Sequence, residues 1–253
     1  MLSRRTFMAV TGGALAAPSI SWGAVDAPVM LDHILLGCTL LTSGIELVAK
    51  RTGVRAAFGG VHPGRGTENA LLSLGERHYL EIIALDPLQS DAPDHYGLAK
   101  LIVPRLVGWA AHPGDLNSLA TRLRDADIAF DGPNPGSRKR PDGRLLQWNT
   151  LNLKNDHDGL LPFFIEWSAD TVHPSADAPA GCKIAGFELA APNDAEISHL
   201  CAILNLDVTV AHTEKPQLRA RISGPGGRIM ELSSRPPSIA TPPFIPSTNP
   251  LLN

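Results

Sequence analysis

Cysteine is scarce in this chain: Cys38, Cys182 and Cys201 are the only three among 253 residues. That excludes a disulfide scaffold, and the lack of any CxxC pair excludes a zinc knuckle. One bridge, between Cys182 and Cys201, stays open for an oxidising compartment, with Cys38 expected in the core. Basic charge is also not in excess, since 22 Lys and Arg stand against 25 Asp and Glu for a net charge of -3. Without a basic stripe there is little to neutralise a phosphate backbone, so nucleic acid is not an expected partner. Glycine (23) and proline (22) are frequent but dispersed, which rules out collagenous or low-complexity sequence. What the chain does have is 43% apolar residues, enough for one large domain or two small ones with a real core.

Residues 1–24 read as an address. Ser3-Arg4-Arg5-Thr6-Phe7-Met8 resembles a twin-arginine export signal, followed by an uncharged, small-residue stretch too short to span a membrane. Gly12, Gly13 and Pro18 make this segment a poor structural helix. The expected location is the periplasm, and no later run of about 20 apolar residues predicts a membrane span once the signal is removed.

Beyond it, one pattern recurs three times. A β-like segment at 29–37 precedes an amphipathic helix at 41–52, with Leu41, Ile45, Val48 and Ala49 on one face and Gly53 placed to end it. Short strands follow around 55–58, 69–74 and 79–84. A second pass starts at Leu106, with a helix at 115–125 whose N-cap is Asp115, then strands at 145–153 and 161–167. A third starts at Cys182, with a helix at 194–204 and strands at 207–211, 218–223 and 228–232. The final strands carry Glu81, Glu166 and Glu231 at corresponding places. Alternation sends a lone Glu and its apolar neighbours to opposite faces of a sheet. The stretch 235–253 is proline-rich and reads as an extended tail.

A β-α-β-β-β repeat with His on the first strand and Glu on the last resembles the vicinal oxygen chelate superfamily. Leu31-Asp32-His33, His62-Pro-Gly-Arg-Gly-Thr-Glu-Asn69, Tyr79-Leu-Glu-Ile-Ile83, Gly108-Trp109-Ala110 and Leu161-Pro-Phe-Phe-Ile-Glu-Trp167 resemble its glyoxalase-like domain family. The resemblance implies an α+β fold: two βαβββ modules paired into a cup-shaped sheet spanning 29–168, with a third related module at 182–233. It further implies a divalent metal in the cup, with His33 and Glu81 as ligands from the first module and Glu166 from the second. The fourth position falls near Gly108, which has no ligand to offer. One imidazole and two carboxylates suit Fe, Mn or Zn.

The residues also admit plainer readings. His33 in an apolar strand is either a ligand or a hydrogen-bonded core residue. Glu81 between Leu80 and Ile82 needs a partner in either case, because an unpaired buried carboxylate is costly. The 62–69 segment is either a tight turn or a rim where His62 moves a proton and Asn69 bonds substrate. Trp109 and Trp148 either line an apolar pocket or fill core. Arg138-Lys139-Arg140, set among Pro and Gly, reads as a solvated loop, and Glu231 as a surface residue. His173-Pro174 has no derivable role.

The leading expectation is therefore an exported, metal-dependent lyase or isomerase acting on a small oxygen-chelating molecule, with His62 and Glu166 as catalytic groups. One His and two Glu count against a ring-cleaving dioxygenase. The competing expectation is a non-catalytic protein that sequesters small ligands in the same cup. Homodimer formation is left open.

Overall fold

The computed structural model describes residues 27–89 and 91–236. The signal segment and nearly all of the proline-rich tail lie outside these residues. Twelve strands and four helices are described: β1 (Leu31–Gly37), α1 (Leu41–Thr52), β2 (Ala57–His62), β3 (Thr67–Ser73), β4 (Tyr79–Leu85), β5 (Arg105–Ala111), α2 (Leu116–Asp125), β6 (Phe130–Lys139), β7 (Leu145–Leu153), β8 (Phe163–Trp167), α3 (Pro174–Asp177), β9 (Lys183–Ala191), α4 (Asp194–Leu204), β10 (Thr209–His212), β11 (Gln217–Ser223) and β12 (Ile229–Ser233).

The first two passes form one eight-stranded sheet in the order β2-β3-β4-β1-β5-β8-β7-β6. Within each module the last strand lies parallel to the first, β4 beside β1 and β8 beside β5. The modules join antiparallel at β1 and β5. The sheet curls until its outer strands β2 and β6 touch. No ladder closes that seam. Instead the Arg138 guanidinium on β6 donates through Nη1 to the Gly59 carbonyl on β2.

Local chemistry explains the helices. Asp115 caps α2 by accepting from the amides of Asn117 and Ser118. Gly53 ends α1 in the left-handed region (φ 83°), where its N–H reaches the Ala49 carbonyl. Leu41, Ile45 and Val48 pack with Leu80, Ile82 and Ala84 of β4 in the main core. Gly44 is needed for this approach, because a Cβ there would meet Ile82 Cγ2 at 2.5 Å.

The third pass keeps the element order of the others but not their strand order. Its four strands run β10-β9-β11-β12, so the first strand pairs in parallel with the second rather than with the last. This unit packs on the outside of the cup, with contacts from α1 to β12, from β5 to β11 and β12, and from α2 to α4. Glu231 is exposed there and pairs with Arg221 at 2.7 Å.

One local expectation needs correction, and one pairing left open has its answer. Arg138-Lys139-Arg140 is not a solvated loop: residues 138 and 139 end strand β6, and Arg138 is only 4% exposed. Gly and Pro between 131 and 136 hid the strand, because they interrupt apolar alternation. Cys182 and Cys201 do not pair, and all three cysteines are buried free thiols. Burial pushes the Cys38 and Cys201 thiols up to about 11, which keeps them protonated at neutral pH. Among the described residues no helix is long and apolar enough to cross a membrane.

Candidate active site

The concave face of the curled sheet encloses one cavity whose two halves differ. The first module lines it with His33, Leu35, His62, Thr67, Asn69, Tyr79, Glu81 and Ile83; the second contributes Arg138, Trp148, Thr150, Asn152, Phe163, Ile165 and Trp167. Alternation along β4 sends Tyr79, Glu81 and Ile83 inward while Leu80 and Ile82 join the helix-side core.

Glu81 is the centre of the polar half. One carboxylate oxygen accepts from Asn69 Nδ2 at 2.6 Å and lies 3.6 Å from His62 Nε2; the other lies 3.3 Å from His33 Nε2. Burial by itself raises its pKa, but the charges of His33 and His62, the Asn69 bond and the Arg138 charge outweigh that and hold it below the usual carboxylate range. Burial is also the main reason that His62 is pushed down, towards the neutral imidazole. Its Nδ1 engages Thr67 Oγ1 at 2.8 Å, and its Nε2 lies 3.4 Å from Asn69 Nδ2 on the cavity side.

His33 is held by a second carboxylate. Asp32 Oδ1 lies 2.7 Å from His33 Nδ1, while Oδ2 accepts from Trp167 Nε1 at 3.0 Å and lies 3.2 Å from His173 Nε2. Adjacent strand residues normally face opposite ways, but the β1–β5 register shifts between Leu31 and His33, and alternation fails there. Asp32 is fully buried; desolvation raises its pKa, yet the bonds from His173 and His33 drive it well below the ordinary value. An ionised Asp32 accepts a hydrogen bond from His33 Nδ1–H and leaves Nε2 directed at Glu81. Tyr79 stacks on the His33 ring with centroids 4.5 Å apart, and Phe163 meets it edge-on at 5.5 Å.

The structure thus brings together His33, His62, Asn69, Glu81 and Trp148. Glu166 and Trp109 are elsewhere. Inward positions on β8 belong to Phe163, Ile165 and Trp167, so Glu166 faces the opposite side, where its Oε2 accepts from the Leu116 amide at the start of α2 at 3.0 Å. Trp109 is 1% exposed, donates to the Leu160 carbonyl and packs edge-to-face on Phe187 of the third unit, centroids 5.0 Å apart. The three-ligand set of His33, Glu81 and Glu166 therefore does not assemble. Among the described residues no group of three or more His, Cys, Asp or Glu side chains is arranged to hold a metal ion.

Sequence reasoning missed Asp32, Arg138, Trp167 and His173. An acidic residue in the middle of an apolar strand was a usable signal for Asp32. His173 reaches the site only because the chain after β8 folds back over β1, which no local pattern records.

The model of the glyoxalase-like domain matches residues 31–204, more than half of the chain. The chain belongs to the glyoxalase-like domain family. No curated protein matches it significantly. Among solved structures, a hypothetical protein from Staphylococcus aureus is 16% identical, with a TM-score of 0.55 over 80% of this chain and 84% of that one. Methylmalonyl-CoA epimerase from Mycobacterium tuberculosis is 18% identical, with a TM-score of 0.40 over 57% of this chain and 90% of that one. At these identities the likeness concerns the fold alone. The paired modules of the eight-stranded sheet agree with the glyoxalase-like domain that the family match assigns.

Proposed function

We propose that this glyoxalase-like protein is an isomerase- or lyase-type enzyme that moves a proton on a small molecule with adjacent oxygen atoms. The observation that carries the reading is the buried Glu81 carboxylate with imidazole nitrogens at 3.3 and 3.6 Å, its pKa held down, in a cup walled on its other side by Trp148, Phe163 and Trp167. Such a carboxylate is a base out of bulk water, where a carbon acid beside a carbonyl can give it a proton.

In this reading Glu81 accepts the proton from carbon. His62, neutral through burial and steadied by Thr67, takes that proton from the Glu81 carboxyl at Nε2, 3.6 Å away, and returns it to the substrate, so both groups end as they began. Asp32 fixes the His33 ring, and Asn69 holds Glu81 in place. Trp148, Phe163 and Trp167 exclude water from the reacting carbon.

A divalent metal would find His33 Nε2 and the Glu81 carboxylate as protein ligands and would polarise substrate oxygens. Two protein ligands hold an ion weakly, so the proton steps above rest on the chain's own groups. The twin-arginine-like segment supports export to the periplasm. Non-catalytic sequestration is the second reading, favoured by the paired Trp148 and Trp167 rings, whose centroids are 5.5 Å apart.

Solvent-deuterium exchange into enolisable 2-oxo acids, followed by NMR, tests the proposal. Exchange above the uncatalysed rate in native protein, lost in Glu81→Gln, is the expected result. Saturable binding with no exchange for any acid tried gives the sequestering reading instead. Elemental analysis of protein purified without chelator tests metal content separately.

A further inference from the structure

Arg138 lines the cup and takes no direct part in the proton transfer. Arg138 sits at the end of β6, opposite Leu146 of β7, and its side chain crosses the seam to β2. It is 4% exposed, yet among the described residues its only hydrogen bond is the one from Nη1 to the Gly59 carbonyl, and no carboxylate lies within ion-pair distance. A guanidinium has five N–H donors in a planar fork, and the Arg138 nitrogens that do not reach Gly59 keep access to the cavity rather than being sealed in the core. The remaining donors of Arg138 belong to a group that lines the cavity.

The surroundings favour an incoming anion. Of the two carboxylates near the site, Asp32 already has three side-chain partners, His33, His173 and Trp167. Glu81 has Asn69 and the two imidazoles. Arg65, exposed in the turn after β2, lines the same cavity and adds a second positive charge. The space for Arg138 is built in: a Cβ on Gly59 would lie 2.4 Å from Asn69 Oδ1 and 3.2 Å from Arg138 Nη1. The same cavity is lined by the rings of Trp148, Phe163 and Trp167.

We infer that Arg138 is a specificity-determining residue that binds the carboxylate of the substrate, so that the cup takes small organic acids whose apolar or aromatic body lies against Trp148, Phe163 and Trp167. The inference rests on the proton-transfer reading for its substrate class, but binding can be measured without turnover. A planar carboxylate matches the guanidinium fork, and such charge-assisted bonds are stronger in a dry site than in water. Anchored there, an acid with an adjacent carbonyl presents its neighbouring carbon to the same cavity that holds Glu81.

The test is isothermal titration calorimetry of the full chain with phenylpyruvate and with its methyl ester, which keeps the body and removes the charge. Native protein is expected to bind the acid about tenfold or more tightly than the ester. Arg138→Gln should erase that preference. Should Gln unfold the chain, Arg138→Lys, which keeps the charge without the fork, must reduce the preference.

Equal affinity for acid and ester, no saturable acid binding at millimolar concentration, or a preference that survives Arg138→Gln each overturns the assignment. Inorganic phosphate competing as well as the acid overturns the carboxylate in favour of a phosphoryl group. An acid preference lost with Arg138→Gln but unaccompanied by deuterium exchange in native protein leaves the anchor standing and removes the catalytic reading. Exchange without an acid preference does the reverse.

Discussion

The two modules that build the cup share a topology and differ in what they turn inward. The first places His33, His62, Asn69 and Glu81 on the concave face, where they bond one another. The second, apart from Arg138, turns in Trp148, Thr150, Asn152, Phe163, Ile165 and Trp167, and sends its own strand-final glutamate, Glu166, outward to a helix terminus. A shift of one position along a strand decides this, because successive side chains face opposite ways. A duplicated scaffold thereby divides labour: one half carries acid–base groups, the other supplies a dry wall and a positive charge.

The sharpest way to break this comparison is Glu81→Gln, which keeps shape and removes the base. Proton exchange should fall by roughly 10²–10⁴-fold, with the thermal midpoint little changed. A folded variant that still exchanges would move the chemistry out of the first module.

Asp32→Ala should act mainly on stability. It leaves His33, His173 and Trp167 without their shared acceptor, and we expect a loss of about 3 kcal/mol in denaturant titrations. Asp32 and Glu81 both have depressed pKa values in the folded state. Their contribution is therefore complete above the ordinary carboxylate range and is lost as pH falls below it. Stability measured against pH should decline on the acid side in native protein and decline less in Asp32→Ala.

Trp148→Ala probes the other half. It should raise KM for an aromatic acid by about tenfold while kcat changes little, because a wall binds ground state and transition state alike. A large fall in kcat would show that the second module shares in the chemistry. The smallest effect is expected from Glu166→Ala. Losing one bond to the α2 amide should lower stability by about 1 kcal/mol and leave ligand binding and metal content unchanged.

Much of the scaffold was legible. The helix at 41–52 and its Gly53 terminus, the Asp115 cap, and the helix at 194–204 follow from spacing and end chemistry that act within a few residues. So does the inward turn of Glu81, since Leu80 and Ile82 seek the helix-packed face. The failures share one cause. Glu166 lies in a strand whose faces are both largely apolar, so alternation there names no inside. Trp109 was drawn outward by Phe187, a residue of another unit, and β6 was concealed by its own glycines and prolines.

Apart from β6, most strands and helices, and the need of a buried acid on the first module for a partner, could be read from local sequence, because propensity, capping and the aversion of charge to apolar surroundings act within a few residues. Which groups meet is set by the tertiary structure. It carries His173 to Asp32 across 141 positions and Arg138 to Gly59 across 79. Those encounters depend on how far the sheet curls and where the linker returns, which are properties of the packed whole that no window of sequence contains.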